Sequence, residues 1–398
     1  MKAILVALAG LVVVVLHGLG NAADDADVAG LGFLSPVRSA EGLANEAVVL
    51  ASAENFDAAV ETGKAAVRRL PVQQSTVRKL GEIELAGEAS DAWANDTIRT
   101  SDLLGWRDSP AQARLLMMAA QDGDITGAID HIDAVLRRTE LSEEVFRAIS
   151  AGIANEEIRS RMVTRLSQDP PWRLDLLKSV DDFGDSQSAQ NFAQMVLELS
   201  EREGGSLASE EVAPVLSRLA ALDLSGPLLA AAERLEPVTM FQQGINDPQF
   251  SGLREGARDP DAAVSPFEWK RGRAQSIVVT VGSREGVDDA LNIRSRSRVR
   301  GVILIQTLRL NPGPYQLNYS KLGSRSESEG LEWRVLCAGE TIDTPQNAAA
   351  SGGGWQAQTL PFTVPANCPI QRVELRTGRN LRGETRRASY SDLSITPS

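Results

Sequence analysis

Histidine and cysteine are nearly missing from this chain: its 398 residues include only His17, His131, Cys337 and Cys368. Two histidines exclude a histidine-rich metal site, and two thiols alone cannot complete four-coordinate zinc. A Ser-His-Asp or Cys-His centre would have to be built on His131, since His17 falls within the expected leader. His131 lies beside Asp130 and Asp133 on an expected helix, where it reads as an exposed or half-packed side chain. No phosphate-cradling loop follows a strand, because Ser351-Gly352-Gly353-Gly354 lacks both a lysine and a following helix. Among 53 acidic side chains nothing marks a pair for glycosidic acid–base work. No cofactor or metal is expected, and the chain is read as not an enzyme.

Long apolar runs are equally scarce. Lys2 precedes one, Ala3 to Leu16, and Gly20-Asn21-Ala22 offers the small residues that a signal peptidase reads. Residues 1–22 are therefore expected to be a secretory signal peptide cleaved after Ala22. The alternative is an uncleaved membrane anchor, although the run is shorter than the roughly 20 residues that span a bilayer. No other run is long and apolar enough, so the mature chain has no expected membrane span. A periplasmic or secreted location follows. In such a compartment Cys337 and Cys368 most simply form a disulfide. It would close a loop of about 30 residues, worth on the order of 3 kcal/mol.

Charge divides the chain. Residues 266–398 hold 18 basic and 12 acidic side chains, a net of +6, against −12 for the whole, which leaves −18 on residues 1–265. An acidic front and a basic back imply different partners.

The front is helical. From Ala44 to Leu235 apolar residues recur at three- and four-residue spacing. Ala59, Ala94 and Ala128 are separated by 35 and 34 residues, and Ala59, Ala66 and Pro71 keep an Ala-x6-Ala-x4-Pro spacing. Small residues let the second helix of a pair lie close on the first, and proline stops it. This resembles a tetratricopeptide-like solenoid over residues 44–235, though the motif's early Trp, Leu-Gly and Tyr are missing and the period fades past Glu140. An unrelated helical bundle is the alternative. Either array presents an extended surface suited to a protein partner. At Pro170-Pro171-Trp172 one helix ends and another begins, with Trp172 packed at the junction. Residues 236–265, rich in proline and glycine, read as a linker.

The back reads as β-strands, and four of its pieces carry a family resemblance that implies a β-sandwich jelly roll. They are Gly272 to Val279, the Gln306 to Leu317 hairpin turning at Pro312-Gly313, Trp355 to Pro365, and the closing Asp392 to Ile395. In this order residues 266–398 resemble the jelly-roll carbohydrate-binding modules of the family 4/9 type, over about the last third of the chain. The resemblance implies glycan binding. Asp392 occupies a position where that family often has an acidic residue near calcium, but no set of oxygen ligands accompanies it.

Arg294, Arg296, Arg298 and Arg300 alternate, so one continuous strand would display them as a single stripe. Arg376, Arg379, Arg382, Arg386 and Arg387 form a second cluster. Guanidinium matches carboxylate and phosphate bidentately, and for an exported protein an acidic polysaccharide is the expected polyanion, with lipid headgroups next, not nucleic acid. The bland alternative is a solvated strand face. Sugar recognition also asks for an aromatic platform, and the candidates are Trp269, Tyr319, Trp333, Trp355 and Tyr390. Trp333, between Glu332 and Arg334, is the expected exposed ring. The reading is a non-catalytic exported binding protein for glycan and protein, in exopolysaccharide or cell-envelope assembly. A pure protein–protein scaffold and a glycoside-active enzyme are the alternatives.

Overall fold

The computed structural model describes residues 39–87, 91–138, 143–182, 185–205, 207–235, 244–254, 264–272, 276–296, 300–323, 330–343, 354–378 and 385–398. The expected signal peptide lies outside them. Helices fill the front of the chain and two antiparallel sheets the back. The contacts divide it into two compact units, one ending at Leu176 and the other running from Leu177 to Ser398. No helix among the described residues is long and apolar enough to cross a membrane.

The first unit contains α1 (Ala40–Ser52), α2 (Phe56–Arg69), α3 (Gln74–Ala86), α4 (Asp91–Leu103), α5 (Ser109–Asp122), α6 (Ile125–Leu136), α7 (Glu143–Gly152) and α8 (Glu156–Leu166). Side-chain caps start several of them. Ser39 Oγ accepts the Gly42 N–H at 3.0 Å, Asp108 that of Ala111 at 3.2 Å, and Asp124 that of Gly127 at 3.0 Å.

Helix α1 packs on α2, α3 on α4, and α5 on α6. Ala59, Ala94 and Ala128 each lie on the second helix of a pair, and all three are buried. The small side chains permit close approach. A Cβ added to Gly81 on α3 would meet Ile98 Cγ1 at 2.7 Å and the Ala94 carbonyl oxygen at 3.1 Å, both on α4. Trp172 is buried after the two prolines, and its Nε1 donates to Asp133 Oδ1 at 2.9 Å. Arg137 Nε reaches both oxygens of the same carboxylate, at 3.0 and 2.9 Å.

Helix α9 (Arg173–Lys178) straddles the division, and α10 (Ser186–Arg202), α11 (Ser209–Ala221) and α12 (Ser225–Leu235) belong to the second unit. The sandwich follows with β1 (Lys270–Arg271), β2 (Ile277–Arg284), β3 (Val287–Ser295), β4 (Gly301–Leu308), β5 (Gly313–Leu322), β6 (Leu331–Cys337), β7 (Glu340–Thr341), β8 (Gln356–Val364), β9 (Gln371–Thr377) and β10 (Arg386–Pro397). The first sheet has the order β1-β4-β9-β6-β7 and the second β2-β3-β10-β5-β8.

Strands β4 and β5 flank Pro312-Gly313 as expected, but they do not pair. β4 bonds to β1 and β9, and β5 to β10 and β8, so the segment crosses between sheets instead of forming a hairpin. Residues 244–254, within the stretch expected to be a linker, pack into the sandwich. Phe250 and Leu253 join its core, and Asn246 N–H donates to Gln306 Oε1 at 3.1 Å.

Aromatic rings fill the centre of the sandwich. Phe250 and Trp269 are 5.3 Å apart, Trp269 and Trp333 5.6 Å, and Trp333 meets Tyr390 edge-on at 5.7 Å. Tyr390 Oη donates to the Leu331 carbonyl at 3.0 Å, tying the sheets together. Cys337 and Cys368 are joined by a disulfide, with their Cα atoms 5.9 Å apart.

Candidate functional site

A sandwich offers a ligand two outer faces, and here they differ. On the first sheet Thr307, Leu336 and Glu374 are buried although they alternate with core-facing neighbours. Helices of the same unit lie nearby. Arg372 of β9 bonds Asp223 at 2.5 Å, Arg309 bonds Glu233 at 2.7 Å, and Ser217 Oγ donates to the Val264 carbonyl at 2.9 Å. The second sheet also buries outward Ser389 and Ser391, but Val278, Arg294 and Arg387 on its outer face are exposed, and that face is the candidate site.

Its floor consists of small hydroxyl and amide side chains in cross-strand register. Asn292 of β3 stands opposite Ser389 of β10, whose hydroxyl donates to its Oδ1 at 2.7 Å. Asn318 of β5 stands opposite Thr359 of β8 and accepts its hydroxyl at 3.0 Å, while donating to Thr396 Oγ1 at 3.1 Å. Alternation places these residues outward because Leu291, Ile293, Leu317 and Tyr319 fill the core. Amides held by neighbours keep fixed orientations, which suits a ligand made of hydroxyl groups.

At one end of the floor Arg294 stands opposite Val278 of β2 and Arg387 of β10, and all three are exposed. Of the expected stripe of four, only Arg294 lies within β3, which ends at Ser295. Arg296 follows that end and donates through Nε to Thr385 Oγ1 at 3.0 Å, whereas exposed Arg300 leads into β4 of the other sheet. Arg298 lies outside the described residues. β3 belongs to the second sheet and β4 to the first, so no single strand carries Arg294 through to Arg300. Strand pairing instead supplies Arg387, which no spacing along residues 292–300 contains.

The remaining arginines of the second cluster are already engaged or lie outside the description. Arg376 Nε donates to Glu374 at 2.6 Å, and Arg386 donates to the Gly378 carbonyl at 2.7 Å. Arg386 also fills the space beside Gly330, where a Cβ would lie 2.9 Å from its guanidinium and φ is +75°. Arg379 and Arg382 are outside the described residues.

Trp333 is not an exposed ring. It is 2% exposed, because on β6 Leu331, Trp333 and Val335 point inward and the charged Glu332 and Arg334 point outward. Trp269, Tyr319 and Tyr390 are buried as well. Burial, reinforced by Glu332, pushes the Tyr319 phenol up to about 12, and burial also raises the Tyr390 phenol well above its ordinary value, so both stay neutral. Trp355 alone of the five candidates keeps part of its surface in water. It lies one residue before β8, whose Gln356 pairs with Lys321 near the end of β5. Its buried Nε1 has no hydrogen-bond partner among the described residues. Asp392 is exposed at a bulge with φ +56° and accepts the Ser391 hydroxyl at 2.9 Å. Among the described residues no group of three or more His, Cys, Asp or Glu is placed to hold a metal.

No protein-family model matches the chain, and no curated protein does. Among solved structures it is similar to a CBM4 structure, at 13% identity and a TM-score of 0.24, over 40% of this chain and 97% of that one. It is also similar to TmCBM61 in complex with β-1,4-galactotriose, at 12% identity and a TM-score of 0.21, over 33% of this chain and 88% of that one.

Proposed function

We propose that the chain is a non-catalytic exported binding protein whose second sheet takes an acidic glycan and whose tetratricopeptide-like helical array takes a protein partner, in exopolysaccharide or envelope assembly. The observation that carries the glycan reading is the Arg294–Arg387 pair at the end of a hydroxyl- and amide-lined face. Two guanidinium groups side by side favour a ligand with carboxylates, and the polar floor meets its hydroxyls. The half-buried Trp355 gives one sugar ring an apolar surface. The disulfide fits an oxidising compartment outside the cytoplasm.

The test is affinity electrophoresis of the full chain through gels containing a uronic-acid polymer or a neutral polysaccharide. Retardation by the acidic polymer that weakens with salt supports the reading. Retardation by the neutral one alone removes the role of the arginine pair. Retardation by neither leaves a protein–protein scaffold, a reading favoured by the burial of four of the five candidate rings.

A further inference from the structure

The loops between the helix pairs of the first unit line up along one edge. Gln74, at the start of α3, donates its side-chain amide to the Gly105 carbonyl and accepts the Asp108 N–H at 3.2 Å. Arg78 Nε bonds both Asp108 oxygens, at 3.1 and 3.0 Å. The α2–α3 loop therefore lies beside the α4–α5 loop. Just past α6, the Arg138 guanidinium sits 5.1 Å from the centre of the Trp106 ring, which places Arg138 beside the α4–α5 loop.

This edge concentrates apolar side chains in water. Leu70 is 43% exposed, Val72 69%, Leu103 86% and Trp106 50%, half of the eight large apolar side chains left exposed among the described residues. Interleaved with them are Arg68, Arg69, Arg107 and Arg138, all exposed. The acids of the edge are engaged: Asp108 and Glu82 by Arg78, Glu41 by Gln73 and Lys79, and Asp102 by the Gln112 amide at 2.9 Å. A basic, apolar rim is out of keeping with a front half of net charge −18.

We infer that this edge docks on an anionic phospholipid surface. A groove would shield the side chains that line it, but among the described residues Leu103 stands almost clear of its neighbours. A fluid bilayer boundary can envelop protruding side chains. Leucine and valine enter the acyl boundary, tryptophan settles at headgroup depth, and arginine pairs with lipid phosphate. The surface differs from the glycan face in both residues and ligand, so it stands or falls independently of that reading.

The full chain should be sedimented with vesicles of phosphatidylcholine alone and of phosphatidylcholine mixed with phosphatidylglycerol, at ~0.1 M and ~0.5 M salt. It is expected to pellet with the mixed vesicles, to be released by salt, and to leave the neutral vesicles unbound. R69S/R107S should weaken binding roughly 25-fold, each arginine near an anionic surface contributing about fivefold. L103S should weaken it with no change in the thermal midpoint, because that side chain touches little. W106S removes the ring that holds Arg138, so L103S keeps the test open if W106S unfolds. Equal pelleting by neutral vesicles overturns the proposal, as does binding unchanged in R69S/R107S and L103S. Binding to neither vesicle also overturns it, and leaves the edge to a protein partner.

Discussion

Arg294 of β3 and Arg387 of β10 are register partners, so two exposed guanidinium groups stand side by side on the outer face of the second sheet. Like charges directly opposite each other across an antiparallel pair oppose folding, by roughly 0.2–1 kcal/mol. R387S should therefore leave stability unchanged or slightly higher while weakening retention by a uronic-acid polymer. Thermal melts beside affinity electrophoresis check both effects. A variant that melts lower and still binds would mean that the pair has a structural role.

Cys337 closes β6 and Cys368 lies between β8 and β9, 31 residues apart in sequence. Replacing both by serine, or reducing the bond, should cost about 3 kcal/mol, mainly by freeing the unfolded chain. Denaturant unfolding with and without reductant measures this, and a midpoint insensitive to reductant would refute it.

Gly81 tests the packing of the α3–α4 pair. G81A places a Cβ 2.7 Å from Ile98 Cγ1 and 3.1 Å from backbone at Ala94, and should destabilise by about 1–3 kcal/mol. Gly226 of α12 is the control, since nothing lies within 4 Å of its added Cβ. G226A should be neutral or stabilising by up to ~1 kcal/mol. Equal effects of the two substitutions would contradict the close approach of α3 and α4.

His131 gives the helical array a pH dependence. Its Nδ1 lies 2.7 Å from Gln112 Oε1, and burial lowers its pKa below 6.5 against the opposing pull of Asp102 and Asp124. A base with a depressed folded pKa leaves the unfolded state holding more protons. Stability therefore falls as pH drops through 6.5, and levels off only below the folded pKa. H131Q should remove this loss, so wild-type and variant melting temperatures should diverge between about pH 7 and 5 and stay parallel above. Parallel curves throughout would exclude His131 as the source.

The division into a helical front and a β back was legible in the sequence, because periods of 3.6 and 2 are local properties of neighbouring residues. The same local pattern marked Ala59, Ala94 and Ala128, which are buried on successive second helices. The cysteine pair was legible too, since two thiols leave one partner for each. The burial of Trp333 was legible as well, since it alternates with Glu332 and Arg334 and shares the parity of Leu331 and Val335, and the expectation of an exposed ring neglected that phase. Strand pairing and layer order were not. Where the arginine stripe stops depends on where the chain leaves one sheet for the other. Arg387 joins Arg294, and Arg138 reaches Trp106, through contacts between residues far apart in sequence. Local periodicity determines what each segment becomes; only the tertiary structure decides which side chains meet, because burial and register are set by segments that no short window contains.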